Sequence, residues 1–216
     1  MLRKFLVKEK GITGLETAII LIAFIVVAAV FAYTVLSAGL FSTQKAQEAV
    51  YSGLKEARST LELKGSITAT AGTVGSNGNI KQISFVVSDV LGGEAMDFTP
   101  PTASALNNGI SANTSKNKVI INYIDKNQTV TNLFWTYAAL GTTNGNDILE
   151  AGEKFQITIG NNVTGVGGGN LLDALQLAYP LSINQTFTLQ LITATGAVLI
   201  IERTTPPYID TKMDLH

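Results

Sequence analysis

The sequence predicts an α+β protein, in which one long N-terminal α-helix precedes an antiparallel β-sandwich or barrel of immunoglobulin-like character. Two observations support this prediction. From Thr17 to Gln44 the chain has no charged residue, and its apolar residues would occupy every side of a helix. From Gly65 onward the helical spacing gives way to short alternating segments separated by Gly, Asn and Pro. That pattern is typical of strands joined by turns.

The composition of the chain argues against several classes of function. The chain has 216 residues, a formal net charge of −1 and no cysteine, and its single histidine is the terminal His216. Cysteine-based metal sites, disulfides and histidine-dependent catalysis are therefore not expected. No basic patch follows the first ten residues, and no phosphate-binding glycine loop with lysine occurs. We expect no enzyme activity, no required cofactor and no nucleic-acid partner.

The first element is a short basic segment, residues 1–11. It carries Arg3, Lys4, Lys8 and Lys10 against a single acid. Positive charge before an apolar run keeps that end in the cytoplasm. A secretory signal has a shorter apolar core and a small-residue cleavage site. A simple membrane anchor fits the length but leaves Glu16 unexplained. In a third interpretation, a peptidase cuts after Gly11, and the mature chain begins at Ile12 with its apolar helix intact.

The residues from Lys10 to about Leu63 resemble those of the type IV pilin-like superfamily, and most specifically the archaellins, the archaeal flagellins. The resemblance rests on a basic leader, Lys10-Gly11, and an apolar helix with an acid at its fifth mature position. The most specific part of the resemblance is the segment GITGLETAIILIAFIVVAAVFAYTVLSAGLF, followed by TQKAQEAVYSGL. The later segments LEAGEKFQI (149–157) and IERTTP (201–206) resemble archaellin sheet segments.

The resemblance implies three regions. Residues 1–11 would be a class III signal peptide, removed by a prepilin peptidase after Gly11. Residues 12–63 would be a long helix that spans the membrane transiently and then forms a hydrophobic filament core. Residues 64–216 would be an extracellular β-sandwich domain. Removing residues 1–11 takes away four of 15 basic and one of 16 acidic residues, which changes the formal net charge from −1 to −4. The basic segment therefore serves targeting.

The resemblance also implies an assembly role for Glu16. Its carboxylate would neutralise the free amine of Ile12, in its own chain or in a neighbour, because a buried charge needs a partner. The alternative is an acid in the first helical turn, where the helix dipole favours negative charge.

The helix is predicted to continue past the apolar run as an amphipathic segment, 42–63. Apolar residues recur there at three- and four-residue spacing between charged ones. Extended from Thr13 to Leu63, the helix would measure about 75 Å, against a hydrocarbon core of about 30 Å. The excess length favours a filament core over a simple anchor.

The β region is predicted to hold six to eight strands. The alternating segments are 65–74, 83–90, 118–125, 129–136, 154–160, 186–193 and 197–205. Turn residues predict one hairpin over 118–136 and another over 186–205. The segment 171–179 fits either a short helix or a loop. We expect Trp135, Tyr137 and Phe155 to be core residues.

An Asx-rich loop precedes the strand at 154–160. Asn144, Asn146, Asp147 and Glu153 place oxygen atoms among glycines there, and Ca²⁺ prefers such ligands. The spacing does not match the EF-hand pattern. An Asx-rich turn without metal is the alternative, and it is favoured.

Four N-x-S/T sequons begin at Asn113, Asn127, Asn162 and Asn184. Each lies in or near a polar segment, and four on one surface domain indicate N-linked glycans. The resemblance to archaellins implies the same modification.

The favoured function is a structural subunit that polymerises with its own copies into the archaeal motility filament, the archaellum. By resemblance, the precursor would lie in the cytoplasmic membrane, and a membrane platform with its ATPase would export it to the cell surface. Heterologous, non-closing contacts between identical subunits generate such filaments. The alternatives are an adhesive type IV-like pilin and a membrane-anchored surface binding domain.

Overall fold

The computed structural model describes residues 10–58, 60–90, 93–112, 117–160, 169–175 and 179–215, with the backbone alone for 10–13 and 56–58. Contacts divide the chain into two units, Met1–Gly53 and Leu54–His216. A single helix, α1 (Lys10–Arg58), has 49 residues, which corresponds to about 73 Å. The predicted long N-terminal helix is therefore confirmed.

The helix ends at Arg58, short of the predicted Leu63, because strand β1 (Leu61–Thr73) follows almost directly. In β1, Leu61 and Leu63 pair with Asp89 and Val87 of strand β2 (Asn79–Asp89). This pairing buries Leu61 and supplies backbone hydrogen bonds that a helix end would leave to water. The predicted helix end at Leu63 is therefore wrong, since strand pairing overrides the local helical spacing.

The remaining elements of the described chain are mostly short strands. They are β3 (Met96–Asp97), β4 (Ile120–Asp125), β5 (Thr129–Val130), β6 (Trp135–Leu140), β7 (Ile148–Leu149), β8 (Lys154–Ile159), helix α2 (Leu171–Ala174), β9 (Thr186–Ile192), β10 (Val198–Thr204) and β11 (Lys212–Leu215).

The strands form antiparallel sheets. A five-stranded sheet has the order β11-β1-β2-β8-β6, a four-stranded sheet has the order β10-β9-β4-β5, and β3 pairs with β7. Every strand pair is antiparallel. The α+β class with antiparallel sheets is confirmed, and it is compatible with the immunoglobulin-like character, which stays a prediction.

The inner faces of both large sheets contribute to one hydrophobic core. Phe85 and Ile157 come from the five-stranded sheet, and Tyr123 and Phe187 from the four-stranded sheet. Trp135 and Phe155 are buried as predicted. Tyr137 is only half-buried, and it stacks on Phe155 with ring centroids 4.5 Å apart.

Both predicted hairpins form, but the first is shorter than expected. Strand β5 pairs with β4 over two residues, and Asn132 then takes a left-handed conformation with φ 63°. Few residues other than glycine adopt this conformation, and asparagine is among them. The turn at Asn132 separates β5 from β6. The segment 129–136 therefore divides between two sheets. The predictions also left out β11, which pairs with β1.

Candidate assembly helix and surface loops

Helix α1 exposes its apolar side chains. Every described side chain from Gly14 to Lys55 is exposed, including Phe24 at 75% and Phe31 at 70%. Among the described residues, one stretch, Gly14–Lys55, is long and apolar enough to cross a membrane. A helix that is apolar on all sides needs lipid or other helices around it. This surface is therefore the main candidate for assembly.

Three threonines of α1 donate hydrogen bonds within their own helix. Thr17 Oγ1 donates to the carbonyl of Gly14 at 3.0 Å, and Thr34 Oγ1 to that of Phe31 at 2.8 Å. Thr43 Oγ1 donates to the carbonyl of Gly39 at 2.9 Å. Short hydroxyl side chains commonly bond back in this way. These groups can therefore leave water without an unpaired donor, which suits a helix that becomes buried.

The predicted cleavage site lies at the beginning of α1. Gly11 and Ile12 fall in its first turn, since the helix begins at Lys10. The leader residues before Lys10 lie outside the described residues. Glu16 is exposed, so its carboxylate is available to an amine. Both the cut and the ion pair stay predictions.

Two of the four sequons can be placed. Asn113 and Asn162 lie outside the described residues. Asn127 and Asn184 are both exposed, and they lie on the rim of one cleft of about 370 Å³ that Tyr179 also lines. The described structure thus brings together two sequons that are 57 positions apart in the sequence.

Asp125 ties the loops of these two sequons together. Its Oδ1 accepts hydrogen bonds from the backbone N–H groups of Asn127 at 2.6 Å and Gln128 at 2.9 Å. Its Oδ2 accepts from Tyr123 Oη at 2.8 Å and from Gln185 Nε2 at 3.1 Å. Burial alone would raise the pKa of Asp125, but the donors at Asn127, Tyr123 and Gln128 lower it below the usual value.

Further bonds hold the same loops. Gln128 Nε2 donates to the carbonyl of Tyr179 at 2.6 Å, and the N–H of Ser182 donates to Gln185 Oε1 at 3.1 Å. Burial and the hydrogen bond to Asp125 raise the pKa of Tyr123. The Tyr123 hydroxyl therefore keeps its proton and donates it to Asp125. Sequence reasoning missed this network, because no local spacing links 125 to 185.

The Asx-rich loop uses its oxygens as hydrogen-bond acceptors. Asn144 Oδ1 accepts from the N–H of Asn146 at 3.1 Å, and Asn146 Oδ1 from that of Ile148 at 2.9 Å. The buried Glu153 accepts from the N–H groups of Asn144 at 3.2 Å and Glu150 at 3.1 Å. These bonds are typical of Asx turns.

The remaining ligand candidate, Asp147, accepts a short hydrogen bond from Tyr137 Oη. Burial first, and then Asp147, raise the pKa of Tyr137 to about 12. Within the described ranges, no three acidic, histidine or cysteine side chains are grouped to hold a metal. The arrangement favours the Asx turn, and Ca²⁺ binding stays the untested alternative.

Asp89, at the end of β2, is the buried acid that sequence reasoning did not single out. It is 7% exposed, and neither carboxylate oxygen has a hydrogen-bond partner among the described residues. Burial raises its pKa, with a smaller opposing effect from the backbone of Val90. No sequence signal marks it, because its burial results from pairing of β1 with β2.

A sequence comparison identifies the family. The sequence model of the archaeal-type flagellin family matches residues 11–203. This range includes most of α1 and the strands through nearly all of β10. The chain belongs to the archaeal-type flagellin family. A probable flagellin of Archaeoglobus fulgidus is 37% identical over 98% of this chain and 98% of its own length.

Solved structures agree with this assignment. A chain from the archaeal flagellum of Methanospirillum hungatei aligns with a TM-score of 0.60 and 32% identity, over 94% of this flagellin and 98% of that chain. An archaeal flagellin of Methanocaldococcus jannaschii aligns with a TM-score of 0.50 and 11% identity, over 72% and 95% of the two chains. At that identity, the second match supports the fold alone. The flagellin family is one of structural filament proteins.

Proposed function

We propose that this chain is the structural subunit of an archaeal motility filament. The alignment with the Methanospirillum hungatei flagellum chain, over nearly all of both chains, is the observation that carries the proposal. The apolar surface of α1 supports it, because a subunit with such a helix needs like helices around it. Identical subunits joined by heterologous contacts then form a helical homopolymer.

The proposal includes a path from membrane to cell surface. The precursor lies in the cytoplasmic membrane with its basic leader inside, and a prepilin peptidase cuts after Gly11. A membrane platform and its ATPase then assemble the mature chain, whose β domain is extracellular. The four basic residues before the apolar run support a separate leader. In the filament, Glu16 neutralises the amine of Ile12.

The proposal also includes N-linked glycans at the four sequons. Asn127 and Asn184 support it, since both side chains are exposed at loops. Such positions are open to a transferase after the chain folds.

Filaments sheared from the cells test the function. Electron microscopy and N-terminal sequencing should find this chain as a main protein, beginning at Ile12. Deleting residues 17–41 should abolish filaments while the precursor is still made, whereas persistent filaments would refute the core role of α1. A gene deletion that stops swimming but leaves surface attachment would separate motility from adhesion.

A further inference from the structure

The uncharged run of α1 is longer than the hydrocarbon core of a bilayer, so lipid alone does not surround all of it with apolar groups. From Thr17 to Gln44 the chain has no charge, and this run is about 42 Å long in a helix. The hydrocarbon core of a membrane is about 30 Å thick, so lipid covers the run only if the helix tilts steeply. A second copy of α1 is uncharged over the same length, and it can cover the run completely.

Most hydroxyl groups of this run can be buried without a partner from outside. Thr17 and Thr34 already donate to carbonyls of their own helix. Ser37 and Ser42 have equally short side chains, which reach the same kind of carbonyl by a rotamer change. Burial of these residues against another helix therefore leaves no hydroxyl donor unpaired.

Tyr33 differs from them. Its rigid ring carries the hydroxyl away from its own helix backbone, and it makes no hydrogen bond within the described residues. The side chain is 73% exposed. Once the run leaves water, an unpaired hydroxyl becomes unfavourable. Its hydrogen bond must then come from whatever covers the helix.

We propose that Tyr33 fixes the register between α1 helices of neighbouring copies, by donating a hydrogen bond to an acceptor on the second copy. This inference rests on the proposed filament function. The uncharged run of a neighbouring copy has side-chain hydroxyl oxygens at only a few positions, such as Thr34 and Ser37, and these oxygens still accept while their own hydrogen is donated. A single polar contact in an apolar interface selects one register, because every other register leaves the polar group unpaired.

The test compares Tyr33→Phe with Tyr51→Phe, which removes the same hydroxyl elsewhere on α1. Tyr51 is 71% exposed and follows the ion pair of Lys45 and Glu48, where water can solvate its hydroxyl. Sheared filaments are warmed in steps, and the released subunit is measured after centrifugation. We expect Tyr33→Phe filaments to release about threefold to tenfold more subunit than wild type. Tyr51→Phe filaments should match wild type.

Other outcomes overturn the proposal. Unchanged or increased stability of Tyr33→Phe filaments would mean that the hydroxyl has no partner, since deleting an unpaired buried donor is favourable. Equal losses in both variants would show that position 33 has no particular role.

Should Tyr33→Phe form no filaments alone, it is co-produced with wild type and its share in mixed filaments is measured by mass. Exclusion supports the proposal, and incorporation in proportion to its synthesis overturns it. The filament function is tested separately, by the presence of the wild-type chain in sheared filaments. The two failures are therefore distinguishable.

Discussion

The side-chain amide of Gln185 donates a hydrogen bond to Oδ2 of Asp125 at 3.1 Å, across 60 positions of sequence. This contact joins the loop after β4 to the loop before β9, and these loops carry the sequons at Asn127 and Asn184. The conformation of one sequon loop therefore depends on the other.

Replacing Asp125 should destabilise the β domain. The change Asp125→Ala removes the acceptor of two backbone N–H groups and of three side-chain donors, Tyr123, Gln128 and Gln185. We expect the free energy of unfolding to fall by about 2–3 kcal/mol. The measurement is denaturant unfolding of the full chain in detergent, followed by fluorescence of Trp135. The exposed neighbour Lys126 supplies the control, since Lys126→Ala should change stability by less than about 0.5 kcal/mol. Equal effects would contradict the role of the network.

Asp125 should also make the stability of the β domain sensitive to acid. The pKa of Asp125 is lower in the folded chain than its ordinary value of 3.8, so ionised Asp125 stabilises the fold. This contribution is complete above the unfolded pKa, and it is lost as pH falls through the folded pKa. The stability difference between wild type and Asp125→Asn should therefore shrink below about pH 4. A difference that stays constant from pH 7 to pH 2 would show that the charge does not contribute.

Asp89 should have the opposite pH dependence. Its pKa is raised by burial, so the ionised carboxylate opposes folding above the unfolded pKa, and protonation relieves this as pH falls. We expect Asp89→Asn to be more stable than wild type at pH 7 by about 1 kcal/mol, with a smaller difference at pH 3. Asp214 is exposed on β11, and Asp214→Asn is the control. Lower stability of Asp89→Asn at pH 7 would indicate that the charge has a partner.

Loss of Glu153 should lower the stability of the β domain, whereas a chelator should leave its melting temperature unchanged. The change Glu153→Ala leaves the N–H groups of Asn144 and Glu150 without their acceptor, at a cost of about 2 kcal/mol. Thermal unfolding with and without EDTA distinguishes this role from a Ca²⁺ site. A drop in melting temperature with EDTA, absent in Asp147→Ala, would establish the cation instead.

The two described sequons should each add a mass increment to the mature chain. Intact mass of filament subunits should fall by one glycan in Asn127→Gln and by one in Asn184→Gln. Thr129→Ala and Thr186→Ala remove the same sequons while they keep the asparagines, so they should give the same losses. A wild-type mass equal to the bare chain from Ile12 would exclude glycosylation.

Much of the architecture could be predicted locally. The uncharged run from Thr17 predicts a helix by composition, and the β9–β10 hairpin follows from alternation around Ala194-Thr195-Gly196. The helix end was predicted wrongly, because residues near Leu61 fit helical spacing and strand alternation equally well. Only pairing with Asp89 in β2 decides between them. Strand β11 was missed for a related reason, since Lys212–Leu215 becomes a strand by pairing with β1.

The sequence by itself determined the long apolar helix, the sequons and the β class, and it predicted a leader with a cut after Gly11. These are properties of consecutive residues, such as charge, periodicity and turn chemistry. The tertiary structure decided that Asn127 and Asn184 share one cleft, that Asp125 holds both loops, and that Asp89 is buried without a partner among the described residues. Contacts between distant residues depend on how strands pair and pack, and no local pattern encodes that arrangement.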